Sequence, residues 1–286
     1  MLMRPILTQI RCGNRLLNLA SPAVMGIINV TPDSFYKPSR TPQNDPEILK
    51  IASKMVNEGA QIIDVGGMST RPGAPEIPLA EEIRRVIPVI ELLAQSLPST
   101  VISVDTYRSE VAERAINAGA TMVNDISGGN LDPEMPGTIA RYNVAYVLMH
   151  MRGSPADMQS HTDYQDLTGH LLKYFVNKLR EMHQLGIHDI LIDPGFGFSK
   201  TMAHNYQLIN DLGIFRLLGC PLLVGISRKS TLQMTIGRPV EETLHATTAL
   251  HMSALINGAS VLRVHDVIPA MDAIAVYNKL QEAKNH

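Results

Sequence analysis
The sequence predicts an α/β protein, a (β/α)8 TIM barrel in which eight parallel strands alternate with helices. Three observations carry this. Short runs that are apolar at nearly every position recur at Val24–Val30, Ile62–Val65, Val101–Val104, Met122–Ile126, Val144–Met149, Ile190–Ile192, Leu222–Ile226 and Val261–Val264. Continuous runs of this kind suit parallel strands covered on both faces, whereas half-exposed hairpin strands alternate. Longer segments with helical spacing lie between them, among them Asp45–Glu58, Ala80–Leu97, Ser109–Ala118, Thr168–Leu185 and Glu241–Asn257. Several of these close on a glycine just ahead of the next strand. Gly59, Gly119, Gly186 and Gly258 are expected as left-handed caps, where a residue without Cβ avoids strain. A doubly wound open sheet is the alternative. No composition break divides residues 1–286, so one domain is expected.

Composition excludes several classes of function. The chain has 25 basic and 27 acidic residues, a formal charge of −2, and gives no basic excess for nucleic acid. The two cysteines, Cys12 and Cys220, lie far apart and form no C-x-x-C pair, so neither a zinc site nor a disulfide framework is signalled and a reducing cytoplasm fits. The N-terminal MLMRPILTQIRCGNRL alternates polar and apolar residues too often for a signal peptide. No apolar run approaches the ~20 residues that span a bilayer.

A barrel places its active site at the C-terminal ends of the strands. Taken in order, those ends carry Asn29 then TPDSF, Asp64 then GGMSTRPG, Asp105-Thr106, Asn124-Asp125, Met149-His150-Met151-Arg152, Asp193 then PGFGF, Ser227-Arg228-Lys229-Ser230, and Arg263-Val264-His265-Asp266. Nearly every strand ends in a group that is costly to bury unpaired, which marks this rim as a ligand site. Asp105, Asn124 and Asp193 supply acceptors and one amide. They suit a flat heterocycle with several N–H groups, such as the amino-pyrimidinone edge of a pterin or guanine; the two carboxylates suit a divalent metal as the alternative. Lys229, Arg263, His265 and Arg71 supply positive charge for a phosphate or diphosphate.

The segments MGIINVTPDSF (Met25–Phe35), GGMSTRPGA (Gly66–Ala74), SVDTY (Ser103–Tyr107), NDISGG (Asn124–Gly129), LMHMRGSP (Leu148–Pro155), DPGFGFSKT (Asp193–Thr201), GISRKS (Gly225–Ser230) and RVHDV (Arg263–Val267) together resemble the dihydropteroate synthase family. The resemblance runs from about residue 10 to the C-terminus. It implies a barrel enzyme of folate biosynthesis that uses magnesium, is usually dimeric through its late helices, and condenses 6-hydroxymethyl-7,8-dihydropterin diphosphate with 4-aminobenzoate to 7,8-dihydropteroate and pyrophosphate.

The same resemblance assigns roles. Asp105, Asn124, Asp193 and Lys229 are expected to hold the pterin, with Gly225 beside it and Ile126, Met149 and Phe198 as walls; Phe196 is expected in the core. Asn29, Arg71, Arg263 and His265 are expected on the diphosphate, with Asn29 also a magnesium ligand. Phe35, Thr70, Pro72 and Ser230 are expected around 4-aminobenzoate. Lys229, Arg263, His265 and Asp33 are the expected catalytic set, stabilising charge as the diphosphate leaves; the aniline nitrogen needs placement more than activation. His245 and His251 are six residues apart, the wrong spacing for one helix face, and are expected to be structural. One departure stands out: the first loop reads DSFYKPSR, so Lys37 occupies the place where the family commonly has a second aspartate. A pterin-dependent methyltransferase barrel and a non-catalytic pterin-binding paralogue are the alternative functions. The first would lack the SRKS and RVHDV cations, and only the altered loop favours the second.

Overall fold
The computed structural model describes residues 7–31, 46–69, 73 and 76–284. Asp33, Phe35, Lys37, Thr70, Arg71 and Pro72 lie outside the described residues. The chain opens with a short antiparallel hairpin, β1 (Gln9–Cys12) and β2 (Arg15–Asn18). Eight parallel strands follow: β3 (Ala23–Asn29), β4 (Ile62–Gly66), β5 (Val101–Asp105), β6 (Met122–Asp125), β7 (Ala145–Met149), β8 (Ile190–Asp193), β9 (Leu223–Val224) and β10 (Val261–Val264). They form one sheet in the order β8-β7-β6-β5-β4-β3-β10-β9. A parallel bridge between Ile192 and Leu222 joins the two ends of that sheet, so the barrel closes. The open-sheet alternative is therefore excluded.

Each barrel strand coincides with a predicted apolar run. The exception in length is the seventh, where the five-residue expectation shrinks to the two residues of β9. Pro221, just before it, has no N–H to give to the ladder, and the join to β8 rests on the single bridge.

The helices are α1 (Pro46–Asn57), α2 (Leu79–Ser96), α3 (Ser109–Asn117), α4 (Met135–Tyr142), α5 (Leu167–Gln184), α6 (Met202–Asp211), α7 (Ser230–Ile236), α8 (Leu244–Ile256) and α9 (Val267–Lys284). They wrap the outside of the barrel, and a continuous apolar core fills the space between, with Tyr146, Phe175, Phe196 and Phe215 fully buried. The expected glycine caps adopt positive φ, for example 113° at Gly119, where a Cβ would also meet the Ala94 side chain at 2.5 Å. The segment expected as one helix over Glu241–Asn257 divides at Thr243. A 3₁₀ turn (Val240–Glu242) precedes it, and its hydroxyl bonds back to the Val240 carbonyl at 2.7 Å.

Inside the barrel lies a second, smaller core. Met25, Ile62, Val101, Met122, Ala145, Val147, Leu191, Leu223 and Val261 fill the lower interior, and Ile10, Cys12, Leu17 and Leu19 pack onto them. The N-terminal hairpin is thus a plug at the end of the barrel opposite the expected site. Its alternation of buried and exposed residues is the half-buried strand period, and Gly13, with φ 60°, supplies the tight turn. Both cysteines are free and buried. Among the described residues, no helix is long and apolar enough to cross a membrane.

This arrangement predicts that Ile10→Ala opens a cavity beneath the barrel floor at about 2–5 kcal/mol. Leu16→Ala, on the exposed face of the same hairpin, should stay within about 0.5 kcal/mol of the parent. Urea midpoints of the two variants check this, and equal midpoints would show that the hairpin does not plug the barrel.

Candidate active site
The strand pleat sends alternate residues to the barrel interior. Below, those residues are apolar; toward the C-terminal ends they become polar. Asp64 on β4, Asp105 on β5, Asn124 on β6 and Arg263 on β10 meet there. Arg263 donates from Nε to Asp64 Oδ2 at 2.7 Å and from Nη2 to Asp105 Oδ2 at 2.6 Å. Asn124 Nδ2 donates to the same Asp64 oxygen at 2.9 Å. β4 and β10 are separated by β3, and β4 and β6 by β5, so these bonds cross the interior.

Two carboxylates share one guanidinium in this cluster. Burial pushes Asp105 up to about 7 against the pull of Arg263. Burial also works against the charge of Arg263, but Asp64 and Asp105 offset it and hold its pKa above the usual arginine value. Asp64 Oδ1, Asp105 Oδ1 and Ser103 Oγ are buried without a hydrogen-bond partner among the described residues. Acceptors are rarely left so in a finished core, and the free carboxylate oxygen of Asp105 suits an N–H-bearing ligand.

The second wing of the site is the PGFGF turn. Asp193 is buried, and its Oδ1 accepts from the Gly195 N–H at 2.7 Å. Burial raises its pKa, while the ammonium groups of Lys229 and Lys200 pull it down. Gly195 has φ 77°, and a Cβ there would run into the His150 carbonyl. Lys229 donates from Nζ to the Phe196 carbonyl and lies 4.8 Å from the centre of the Phe198 ring, within cation–π range. Burial lowers Lys229 to about 8, opposed by Asp193. Phe196 sits in the outer core, as expected. Phe198 packs instead against Ile126, Met149, Met151 and Met158, with Tyr107 alongside. These side chains form an apolar slot bordered by the polar cluster.

At the exits of β9 and β10, His265 is exposed, and its Nδ1 lies 3.1 Å from Ser227 Oγ. Arg228 holds Asp266 through two bonds of 2.7 Å. Its φ of 53° is unusual for a residue with a side chain, and this forked pair ties the exit of β9 to that of β10. Asn29 ends β3 half-buried. A Cβ built on Gly66 would stand 3.6 Å from both Asn29 Oδ1 and Asp105 Oδ2, so the missing side chain leaves room between them. A Cβ on Gly225 would reach the Arg263 Cβ at 3.9 Å. Ser230 opens α7 and is exposed.

The fold therefore gathers Asn29, Asp105, Asn124, Ile126, Met149, Asp193, Phe198, Gly225, Lys229, Ser230, Arg263 and His265 at one end of the barrel. Two residues at the centre of the geometry carried no expected role. Asp64 is fully buried and binds both Arg263 and Asn124; the signal for it was a carboxylate inside the otherwise apolar run IIDVG. Lys200 is also buried, and its Nζ bonds the Phe198 carbonyl at 2.9 Å and lies 3.2 Å from His150 Nδ1. It joins the exits of β7 and β8. Burial lowers it to about 7, and no periodicity marks it.

The family model of pterin binding enzymes matches residues 25–265, so fold and site define a pterin-binding barrel. The dihydropteroate synthase of Synechocystis sp. is 43% identical over 263 residues, covering 91% of this chain and 89% of that protein. The Yersinia pestis dihydropteroate synthase, solved with a sulfonamide drug complex, superposes with a TM-score of 0.89 at 37% identity, covering 96% of this chain and 99% of that one. The Xanthomonas albilineans enzyme, solved with 4-aminobenzoic acid, gives 0.86 at 39%, covering 96% and 98%. The chain belongs to the dihydropteroate synthase family.

Two titrations bound the working pH of the site. Asp105 is a pure acceptor only when ionised, above about 7, and Lys229 is charged only below about 8. Affinity for a bare pterin should rise through the first value and fall beyond the second. Calorimetry from about pH 5 to about pH 10 brackets both ranges; a flat profile would contradict these assignments.

Proposed function
We propose that the chain is a transferase that condenses 6-hydroxymethyl-7,8-dihydropterin diphosphate with 4-aminobenzoate, giving 7,8-dihydropteroate and pyrophosphate. One observation carries this reading: acceptors suited to a ring (Asp105, Asn124 and Asp193) stand at one barrel mouth with Arg263, Lys229 and His265, which suit an anion. Neither a bare ring nor a bare anion calls for both sets. The likeness to enzymes of this name supports it over its alternatives.

In this reading the amino-pyrimidinone edge donates to Asp105, Asn124 and Asp193, and the ring lies between Ile126, Met149 and Phe198. The bond between the pterin methylene and the diphosphate oxygen breaks, and the electron pair leaves with the diphosphate. Arg263 and His265 stabilise the growing charge. The electron-rich ring supports the methylene cation. The aniline nitrogen attacks that carbon and then releases a proton to water. Ser230 and the second-loop residues Thr70 and Pro72, with Phe35 of the first loop, would orient the benzoate.

Mg²⁺ is the expected cofactor. Among the described residues no group of three or more His, Cys, Asp or Glu forms a metal cage. Asn29, an amide oxygen at the β3 exit, fits an ion that takes one protein oxygen and completes its shell with phosphate oxygens and water. When bound, Mg²⁺ supplies positive charge to the leaving diphosphate. We also expect a homodimer, which the exposed Ile256, Ile268, Val276 and Leu280 on α8 and α9 favour, and a cytoplasmic location, which suits two free thiols.

The test is joint release of pyrophosphate and dihydropteroate, dependent on 4-aminobenzoate. Wild type should form both in equal amounts. Asp193→Ala should lose binding of a bare pterin, since each stranded donor costs about 1–3 kcal/mol. His265→Ala should slow turnover by about 10-fold to 100-fold, roughly 1.4–2.7 kcal/mol, with bare-pterin affinity unchanged. Arg263→Ala is a poorer probe than its sequence position implies, because removing it strands two buried acids of the ring half. Equal loss of turnover and of ring binding in His265→Ala would contradict the division of roles.

Lys37→Asp tests the departure in the first loop. With the anion cluster complete and Asp33 on the same loop, the rate should change by less than about a hundredfold, or ~2.7 kcal/mol. Activity seen only in Lys37→Asp would mean that the native loop has lost catalysis.

A further inference from the structure
We infer that Asp64 is the positioning residue of this site: it sets which end of Asn124 faces the ring and which nitrogen of Arg263 faces the leaving group. The inference rests on the reading proposed above and deepens it. Asp64 is fully buried on β4, and an ionised carboxylate only accepts hydrogen bonds. The atom of Asn124 that meets it must therefore be Nδ2, at 2.9 Å. The amide is thereby oriented, and Oδ1 is the atom left for the ligand.

The same oxygen of Asp64 takes Arg263 Nε at 2.7 Å, while Asp105 takes Nη2 at 2.6 Å. With those two nitrogens engaged, the planar guanidinium has one orientation, and Nη1 is the nitrogen that neither acid holds. Asp64 thus acts on both halves of the substrate through residues on two other strands. It also sets ligand class. Asn124 Oδ1, Asp105 and Asp193 make a recognition edge of acceptors alone, which demands a heterocycle presenting consecutive N–H donors. A ring with an acceptor in that place, or the wrong tautomer, would face like dipoles.

The experiment separates the shared acceptor from its charge. In Asp64→Asn the amide oxygen can take the place of Oδ2 and still accept from both Asn124 Nδ2 and Arg263 Nε, while the charge holding Arg263 is lost. In Asp64→Leu neither donor meets an acceptor there, so the Asn124 amide and the guanidinium are released together. In Asn124→Asp two carboxylates face each other. Three readouts are taken on the full chain: melting temperature, the dissociation constant of a bare pterin by calorimetry, and kcat/KM for the pterin diphosphate.

Asp64→Leu and Asn124→Asp should each weaken the bare pterin at least tenfold and lower kcat/KM at least a hundredfold, with KM for 4-aminobenzoate within twofold in Asp64→Leu. Asp64→Asn, which keeps the shared acceptor, should bind the bare pterin at least fivefold more tightly than Asp64→Leu. Pterin affinity within twofold of wild type in a folded Asp64→Leu, or equal affinity in Asp64→Asn and Asp64→Leu, would overturn the inference while leaving the condensation reaction, assayed in wild type, intact. If Asp64→Leu does not fold, Asn124→Asp still decides: pterin affinity within twofold of wild type there, where the oriented amide is gone, rejects the orientation role. Absence of condensation in wild type would reject the proposed function instead, with the pterin measurements still readable.

Discussion

The site is organised by one guanidinium held between two carboxylates inside a barrel. Removing three charges from bulk water carries a desolvation penalty of several kcal/mol per ion, and the pairing is favourable only when geometry is close and the remaining lone pairs are used. Arg263 meets Asp64 and Asp105 at 2.7 and 2.6 Å, and Asn124 takes up a further share of Asp64. That arrangement holds four strands to one another across the interior. It also gives Asp105 and Asn124 fixed positions before any ligand arrives, which is the form of preorganisation that catalysis by electrostatics requires.

Stability and function divide along the barrel axis. The lower interior is apolar and sealed by the N-terminal hairpin, and the layer between strands and helices is mainly apolar, with a few buried polar pairs such as Tyr146 and Asp125. These two cores support an upper interior that contributes little burial of its own. The strand exits are then held by local devices. Arg228 at φ 53° grips Asp266, and Lys200 joins the Phe198 carbonyl to the His150 side chain. Glu82, fully buried, takes Thr106 at 2.7 Å and Arg108 at 2.9 Å just beyond β5. Strain and buried charge gather at the mouth, where the chemistry is, and are nearly absent at the plugged end.

Much of the fold was legible because parallel strands buried on both faces need continuous apolar runs, and the chain has eight of them. The hairpin is not legible in the sequence because β1 and β2 are four residues each and half-exposed, too short for their alternation to stand out. The break at Thr243 escaped because the helical pattern continues across it and only the local hydroxyl bond interrupts it. In the site, the strand ends could be read in order, but partners could not. Arg263 and Asp64 are 199 positions apart, and no spacing rule connects them. Asp64 was visible as a polar residue at a strand end, yet its meaning lies in what crosses the barrel to reach it. The family resemblance supplied roles for individual residues and not the bonds between them.

The cluster also bears on how a site rich in acids receives a diphosphate. Asp64, Asp105 and Arg263 leave one net negative charge when all are ionised, an unfavourable neighbour for an anionic leaving group. The burial that raises Asp105 to about 7 already opposes that excess, and N–H donors from a bound ring would spread what remains. In the proposed reading, ring and anion are therefore not read by independent pockets. A bound ring would lower the electrostatic cost of the diphosphate beside it, and Arg263 would present its remaining nitrogen to the group that leaves. A ligand carrying only the anion would meet the acids without that screening, whereas one carrying only the ring would find its binding edge complete. Selectivity for a joined pterin and diphosphate would follow from this asymmetry.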